Sequence, residues 1–196
     1  MTNRRHPCEG RDPETEAARN APLGPLDSCL RRNDSPHQDN RPPGTTISLL
    51  VIHNISLPPG EYGGDWIDDL FMGRLDPAAH PYFADIAALK VSAHYLIRRD
   101  GTPIQYVEPE KRAWHAGLSS WNGRERCNDF SIGVELEGSD DVPFAEPQYD
   151  TLVALAKSLM ERFGPLDIAG HSDIAPGRKT DPGPWFDWER FRAALQ

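Results

Sequence analysis

Long apolar runs, an excess of basic charge and a usable set of cysteines are all missing from this chain of 196 residues. No apolar stretch approaches the roughly 20 residues that a membrane-spanning helix needs. The N-terminus carries arginines with no apolar segment behind them, so it does not read as a secretory signal. Three cysteines (Cys8, Cys29, Cys127) cannot close a disulfide framework, and their spacing fits no zinc-finger pattern. Together these absences predict a cytoplasmic protein with no membrane partner. A net charge of -9 speaks against nucleic acid, whose phosphates call for a basic face. What remains is 38% hydrophobic and 26% charged, a composition that suits one domain with a real core.

Residues 1–44 differ from the rest. They are rich in Arg, Pro, Asp and Asn and hold no helical or strand period, so residues 1–45 are expected to be a disordered or loosely attached extension. Arg5–Pro13 and Pro25–Asp34 resemble the two arms of translated palindromic repeats, and no catalytic role is assigned to them. Residues 46–196 are expected to form the functional domain. Ile47–His53 is a β-branched apolar run that reads as a buried strand. A loop rich in Pro and Gly follows, then a short helix from Trp66 to Phe71 with Asp65 as its cap. Asp100-Gly101 between His94–Arg98 and Ile104–Val107 signals a hairpin. Phe130–Leu136 reads as a central strand, and Asp167–Gly170 as a short strand delivering His171. Leu152, Leu155, Ala156 and Leu159 predict a helix over 146–163, stopped by Gly164-Pro165, and a last helix covers 188–195. Strands mixed with helices predict an α/β (α+β-like) fold, a central mixed β-sheet flanked by helices.

His171 and Asp181 bound a turn-rich segment that also contains Lys179. Two histidines and one carboxylate make a hydrolytic zinc set, because they leave one position open. His53 ends a predicted strand and is placed to join them. Each residue alone has a plainer reading: a packed histidine for His53, a turn for Asp181-Pro182-Gly183, a solvated charge for Lys179. Glu135 lies mid-strand, and strand alternation puts it on one face with Gly133 and Glu137, opposite Val134 and Leu136. A carboxylate buried there is costly without a partner, and one tuned by burial and a cation is suited to moving protons. Trp114 and Trp121 lie on loops, suited either to covering sugars and peptides or to capping the core. His94 and His115 have no metal partner at useful spacing, and hydrogen-bonding or substrate roles fit them better.

Five blocks, Leu50–Glu61, Val91–Gly101, Lys111–Gly117, Gly123–Gly138 and His171–Gly183, closely resemble the cytoplasmic 1,6-anhydro-N-acetylmuramyl-L-alanine amidases of the type 2 N-acetylmuramoyl-L-alanine amidase superfamily. The resemblance spans about residues 46–195. It implies the peptidoglycan-recognition fold and a Zn2+ ion held by His53, His171 and Asp181. Glu135 would be the catalytic acid/base and Lys179 the oxyanion stabiliser. Asn54, Trp114, His115 and Arg126 would contact substrate. It further implies a monomer hydrolysing the amide between anhydro-N-acetylmuramic acid and L-alanine in small soluble muropeptides. Lys90 departs from the arginine expected in close relatives, and lysine cannot make the planar bidentate pair with a carboxylate. The rival expectations are a non-catalytic peptidoglycan-recognition module, which the intact ligand set opposes, and an exported amidase acting on intact cell wall.

Overall fold

The computed structural model of the chain describes residues 30–196. Among these residues, ten strands and five α-helices follow in chain order: β1 Arg31–Arg32, β2 Gln38–Asn40, β3 Leu49–Ile55, α1 Trp66–Phe71, α2 Phe83–Ile86, β4 Tyr95–Ile97, β5 Pro103–Gln105, β6 Lys111–Ala113, β7 Ser120–Trp121, β8 Arg124–Glu125, β9 Ser131–Glu137, α3 Glu146–Phe163, β10 Asp167–Gly170, α4 His171–Ile174 and α5 Trp188–Leu195. Six strands form the main sheet in the order β1-β5-β4-β9-β3-β10. Only the β4–β5 hairpin within it is antiparallel. Among the described residues no helix is long and apolar enough to cross a membrane.

The sheet is mixed and flanked by helices, as its sequence pattern implies. Leu50 and Ile52 of β3 and Ile132, Val134 and Leu136 of β9 face the long helix α3, where Leu152, Leu155, Ala156 and Leu159 meet them in one buried cluster. Phe191 of α5 and Phe186 close that layer. The alternate residues face the other way. Leu49, Val51 and Ala169 pack with Ala116, Cys127, Phe130 and Ile174, while Leu96 and Ile104 pack under α1. That second face is covered by loops and short helices rather than a long helix, and this leaves room for a cleft. Helix α3 ends at Gly164, whose φ of 87° an L side chain rarely adopts, and Pro165 follows. Asp65 stands at the start of α1, but its side chain makes no capping hydrogen bond.

The expected boundary at residue 45 does not hold for residues 30–44; residues 1–29, where the rest of that expectation falls, lie outside the described residues. Strand β1 pairs in parallel with β5, and β2 pairs antiparallel with β6. Polar ties hold this arm down, which is why a search for apolar period has nothing to read there. Arg31 and Asn33 donate to the buried Asp68 carboxylate at 2.5 and 3.0 Å, and Ser35 Oγ donates to the Phe71 carbonyl at 2.6 Å. Arg98 joins the same carboxylate at 2.6 Å and extends the network to Glu137 at 2.9 Å. Arg41 goes deepest. Its guanidinium donates to the carbonyls of Pro109, Asn128, Asp129 and Ser131 at 2.7–3.1 Å. With no carboxylate among those contacts, burial lowers its pKa to about 10, which still leaves it charged at neutral pH.

Candidate metal centre and active-site cleft

Register places the chemistry. Residues of β3 and β9 pair one to one, so His53 lies directly across from Glu135 on the loop-covered face. On the other side of β3, β10 runs parallel to it and delivers His171, the first residue of the one-turn helix α4. The loop after α4 folds back, and Ser172 N–H donates to the Asp181 carbonyl at 2.9 Å, bringing that side chain under the two imidazoles. Pro182 packs so closely on Gly170 that a Cβ there would lie 2.8 Å from its ring. Asn54 donates its amide to Asp140 Oδ1 at 2.7 Å and to the Pro182 carbonyl at 3.1 Å, which ties the loop to β3.

Three atoms converge. His53 Nδ1, His171 Nδ1 and Asp181 Oδ2 lie 3.0 Å from one another along every edge of a triangle. A tetrahedral zinc with bonds of about 2.0–2.1 Å has ligand–ligand edges of roughly 3.3 Å, so the triangle needs only a small expansion to hold one. The protons argue the same way. His171 Nε2 faces the Ala116 carbonyl, an acceptor, at 3.1 Å and the Arg178 guanidinium, a donor, at 3.4 Å; the shorter contact favours a proton on Nε2 and a lone pair on Nδ1. Two imidazole nitrogens and a carboxylate oxygen aimed at one point, with the histidines buried to 1% and 3% exposure for His53 and His171, fit a cation.

Electrostatics agree with that donor set. Burial is the main cause that lowers the His53 pKa to about 4, so the ring stays neutral and able to ligate. Burial alone would raise the Asp181 carboxyl, but its bonds to His171 and His53 outweigh burial and hold it below the usual carboxylate range. Glu135 goes the opposite way. It is 9% exposed, and its Oε2 has no hydrogen-bond partner among the described residues. Burial pushes its pKa well above the ordinary value, the Asp181 charge adds to this, and Lys179 partly offsets it. Two carboxyls with pKa values driven apart are the usual mark of divided acid–base roles.

These residues form the floor of a cleft of about 360 Å³ that also includes Lys179. Its walls carry Leu57, Tyr82, Leu89 and Trp114, an apolar and aromatic surface beside a polar floor. Of the residues named from sequence, His53, Asn54, Trp114, His115, Glu135, His171, Lys179 and Asp181 all line this cleft. Arg126 does not. Its backbone takes a left-handed φ of 62°, and its 70% exposed side chain reaches Asp129 at 3.2 Å. The sequence reading missed the supports. His37 stacks on Trp114 with ring centroids 6.1 Å apart, and Arg178 donates to the Ala116 carbonyl at 2.7 Å. Nothing local in the sequence marks either contact.

A family model described as N-acetylmuramoyl-L-alanine amidase matches residues 43–184. The chain belongs to the N-acetylmuramoyl-L-alanine amidase family. This amidase is 62% identical over 167 residues to the 1,6-anhydro-N-acetylmuramyl-L-alanine amidase AmpD of Citrobacter freundii, with 84% of this chain and 89% of that protein covered. A crystal structure of a selenomethionine AmpD derivative superposes with a TM-score of 0.84 at 60% identity, covering 86% of this amidase and 95% of that chain. The amidase AmiD of Escherichia coli, in complex with the substrate anhydro-N-acetylmuramic acid-L-Ala-D-γ-Glu-L-Lys, matches at 31% identity with a TM-score of 0.55, over 79% of this chain and 60% of that one.

Proposed function

We propose that this amidase is a zinc enzyme that hydrolyses the bond between the lactyl group of 1,6-anhydro-N-acetylmuramic acid and L-alanine, in soluble muropeptides of the cytoplasm, as a step in cell-wall recycling. One observation carries the reading: three ligand atoms at mutual distances of 3.0 Å beside a buried, raised-pKa glutamate. The substrate assignment draws support from the relatives, since AmpD of Citrobacter freundii is named for the anhydro-muramyl amide and AmiD is seen with an anhydro-muropeptide.

His53, His171 and Asp181 would hold the zinc, which when bound supplies Lewis acidity at the reacting carbonyl and lowers the pKa of water. Glu135 takes a proton from the attacking water as the new C–O bond forms at the lactyl carbonyl carbon. The Lys179 ammonium faces the negative charge that develops on the carbonyl oxygen. Glu135 then gives its proton to the alanine nitrogen as the C–N bond breaks. The products are a free lactyl carboxylate on the anhydro-sugar and a peptide with a free amine. A carboxyl that burial raises and a cation lowers is poised for both transfers. Trp114, Tyr82 and Leu89 offer apolar faces for sugar and peptide.

The test is turnover of purified, metal-defined protein on a soluble anhydro-muropeptide and on polymeric peptidoglycan, with products identified by mass. Turnover of the first, loss with a chelator and return with zinc are expected. Turnover of the polymer alone would move the reading to an amidase of intact wall. Binding without cleavage of either would make the chain a recognition module.

A further inference from the structure

An imidazole that offers Nδ1 to a cation keeps its proton on Nε2 and needs an acceptor for it. One dipeptide serves both histidines. The Ala116 carbonyl stands 3.1 Å from His171 Nε2, and His115 Nδ1 stands 2.9 Å from His53 Nε2. A carbonyl only accepts, and at 3.1 Å it lies nearer His171 Nε2 than the Arg178 guanidinium, a donor at 3.4 Å, so the shorter contact favours a proton on His171 Nε2. An imidazole nitrogen can donate or accept, so the His53 side depends on where His115 keeps its own proton. Ser131 Oγ lies 3.1 Å from His115 Nε2 and can accept that proton, which leaves His115 Nδ1 as a lone pair facing His53.

The placement of His115 is over-determined. A Cβ on Gly133 would come within 2.5 Å of the His115 ring, so β9 carries a glycine where the ring lies against the sheet. The backbone N–H groups of His115 and Ala116 both donate to Asn128 Oδ1, at 3.1 and 2.8 Å. Arg41 in turn holds the Asn128 carbonyl at 3.1 Å. The His53 and His94 rings flank His115 edge-on, with centroids 5.0 and 5.6 Å away. Both ring nitrogens of His115 are engaged with the protein.

We infer that His115 is a positioning residue for the metal centre: it accepts the Nε2 proton of His53 and so holds that ligand in the tautomer and orientation that present Nδ1. This rests on the zinc reading above. Asparagine carries an oxygen close to where histidine carries Nδ1, and leucine has the same shape without it. The experiment measures zinc affinity by chelator competition and ring-nitrogen NMR signals of zinc-loaded protein for wild type, His115→Asn and His115→Leu. His115→Leu is expected to bind zinc about 10- to 100-fold more weakly, while His115→Asn recovers most of the loss. In wild type the His53 proton is expected on Nε2. Wild-type affinity in His115→Leu, or equal loss in both variants, would overturn the inference and leave His115 a packing residue. Should His115→Leu fail to fold, Ser131→Ala decides: weaker zinc binding with a shifted His115 nitrogen signal supports the relay, and unchanged values for both sink it. A wild-type protein that takes up no zinc would instead bring down the metal reading itself.

Discussion

At the scale of single residues, the site combines groups that are poor for stability and good for chemistry. Glu135 is the clearest. Unfolded, its carboxyl titrates near 4.5, whereas burial raises it in the folded protein. Between those values the native state holds a proton the unfolded chain has lost, so this residue's contribution to stability falls as pH rises through the folded pKa. Glu135→Gln in chelated protein is therefore expected to melt higher than wild type at pH 7, with the gap closing as pH falls to about 4.5. The same variant should keep its zinc and lose turnover by about 10²- to 10⁴-fold. Paired melting curves and metal analysis check both halves, and full turnover would end the general-base assignment. Lys179→Ala should cost about 10²- to 10³-fold in kcat with little change in zinc content. A comparable loss of zinc would instead assign Lys179 a structural part in the loop that carries Asp181.

At the scale of elements, strand β3, the start of α4 behind β10 and the loop after α4 carry the ligands, while short segments hold them in register. The N-terminal arm belongs to this support. Its Arg41 spreads one charge over four backbone carbonyls, two of them, Asn128 and Ser131, next to the groups that hold His115. Replacing it by methionine keeps the length and strands those carbonyls, and a loss of roughly 2–4 kcal/mol is expected from hydrogen bonds to a charged group. Chemical denaturation of Arg41→Met measures this; an unchanged midpoint would show that water replaces the guanidinium. A chain beginning at Thr45 lacks β1, β2 and two of the partners of Asp68, Arg31 and Asn33, and should melt well below one beginning at Leu30.

At the scale of the whole molecule, one face of the sheet serves stability and the other serves chemistry. The α3 side is a closed apolar layer, and the opposite side opens into the cleft. Buried lone pairs that a cation would satisfy link the two, because anything that binds only the native state stabilises it by mass action. Zinc at about a thousand times its Kd should add about 4 kcal/mol, seen as a rise in Tm that tracks free zinc and vanishes with a chelator. A melting temperature indifferent to zinc would contradict the ligand set.

The apolar run of β3, the alternation of β9, the period of α3 and the Asp100-Gly101 turn were legible in the sequence, because each is a local pattern with a local cause. The same alternation put Glu135 on the face away from Val134 and Leu136, and that is where it lies. His53, His171, Lys179 and Asp181 stood at strand ends and turns, positions that only a fold can bring together. Tertiary structure alone decided the 3.0 Å triangle, because parallel pairing of β10, β3 and β9 aligns residues far apart in the chain. It also decided the arm of residues 30–44, held by side-chain-to-backbone bonds that have no sequence period. It turned Arg126 out towards solvent, and it gave His115 two protein partners, since contacts set by packing leave no trace in spacing.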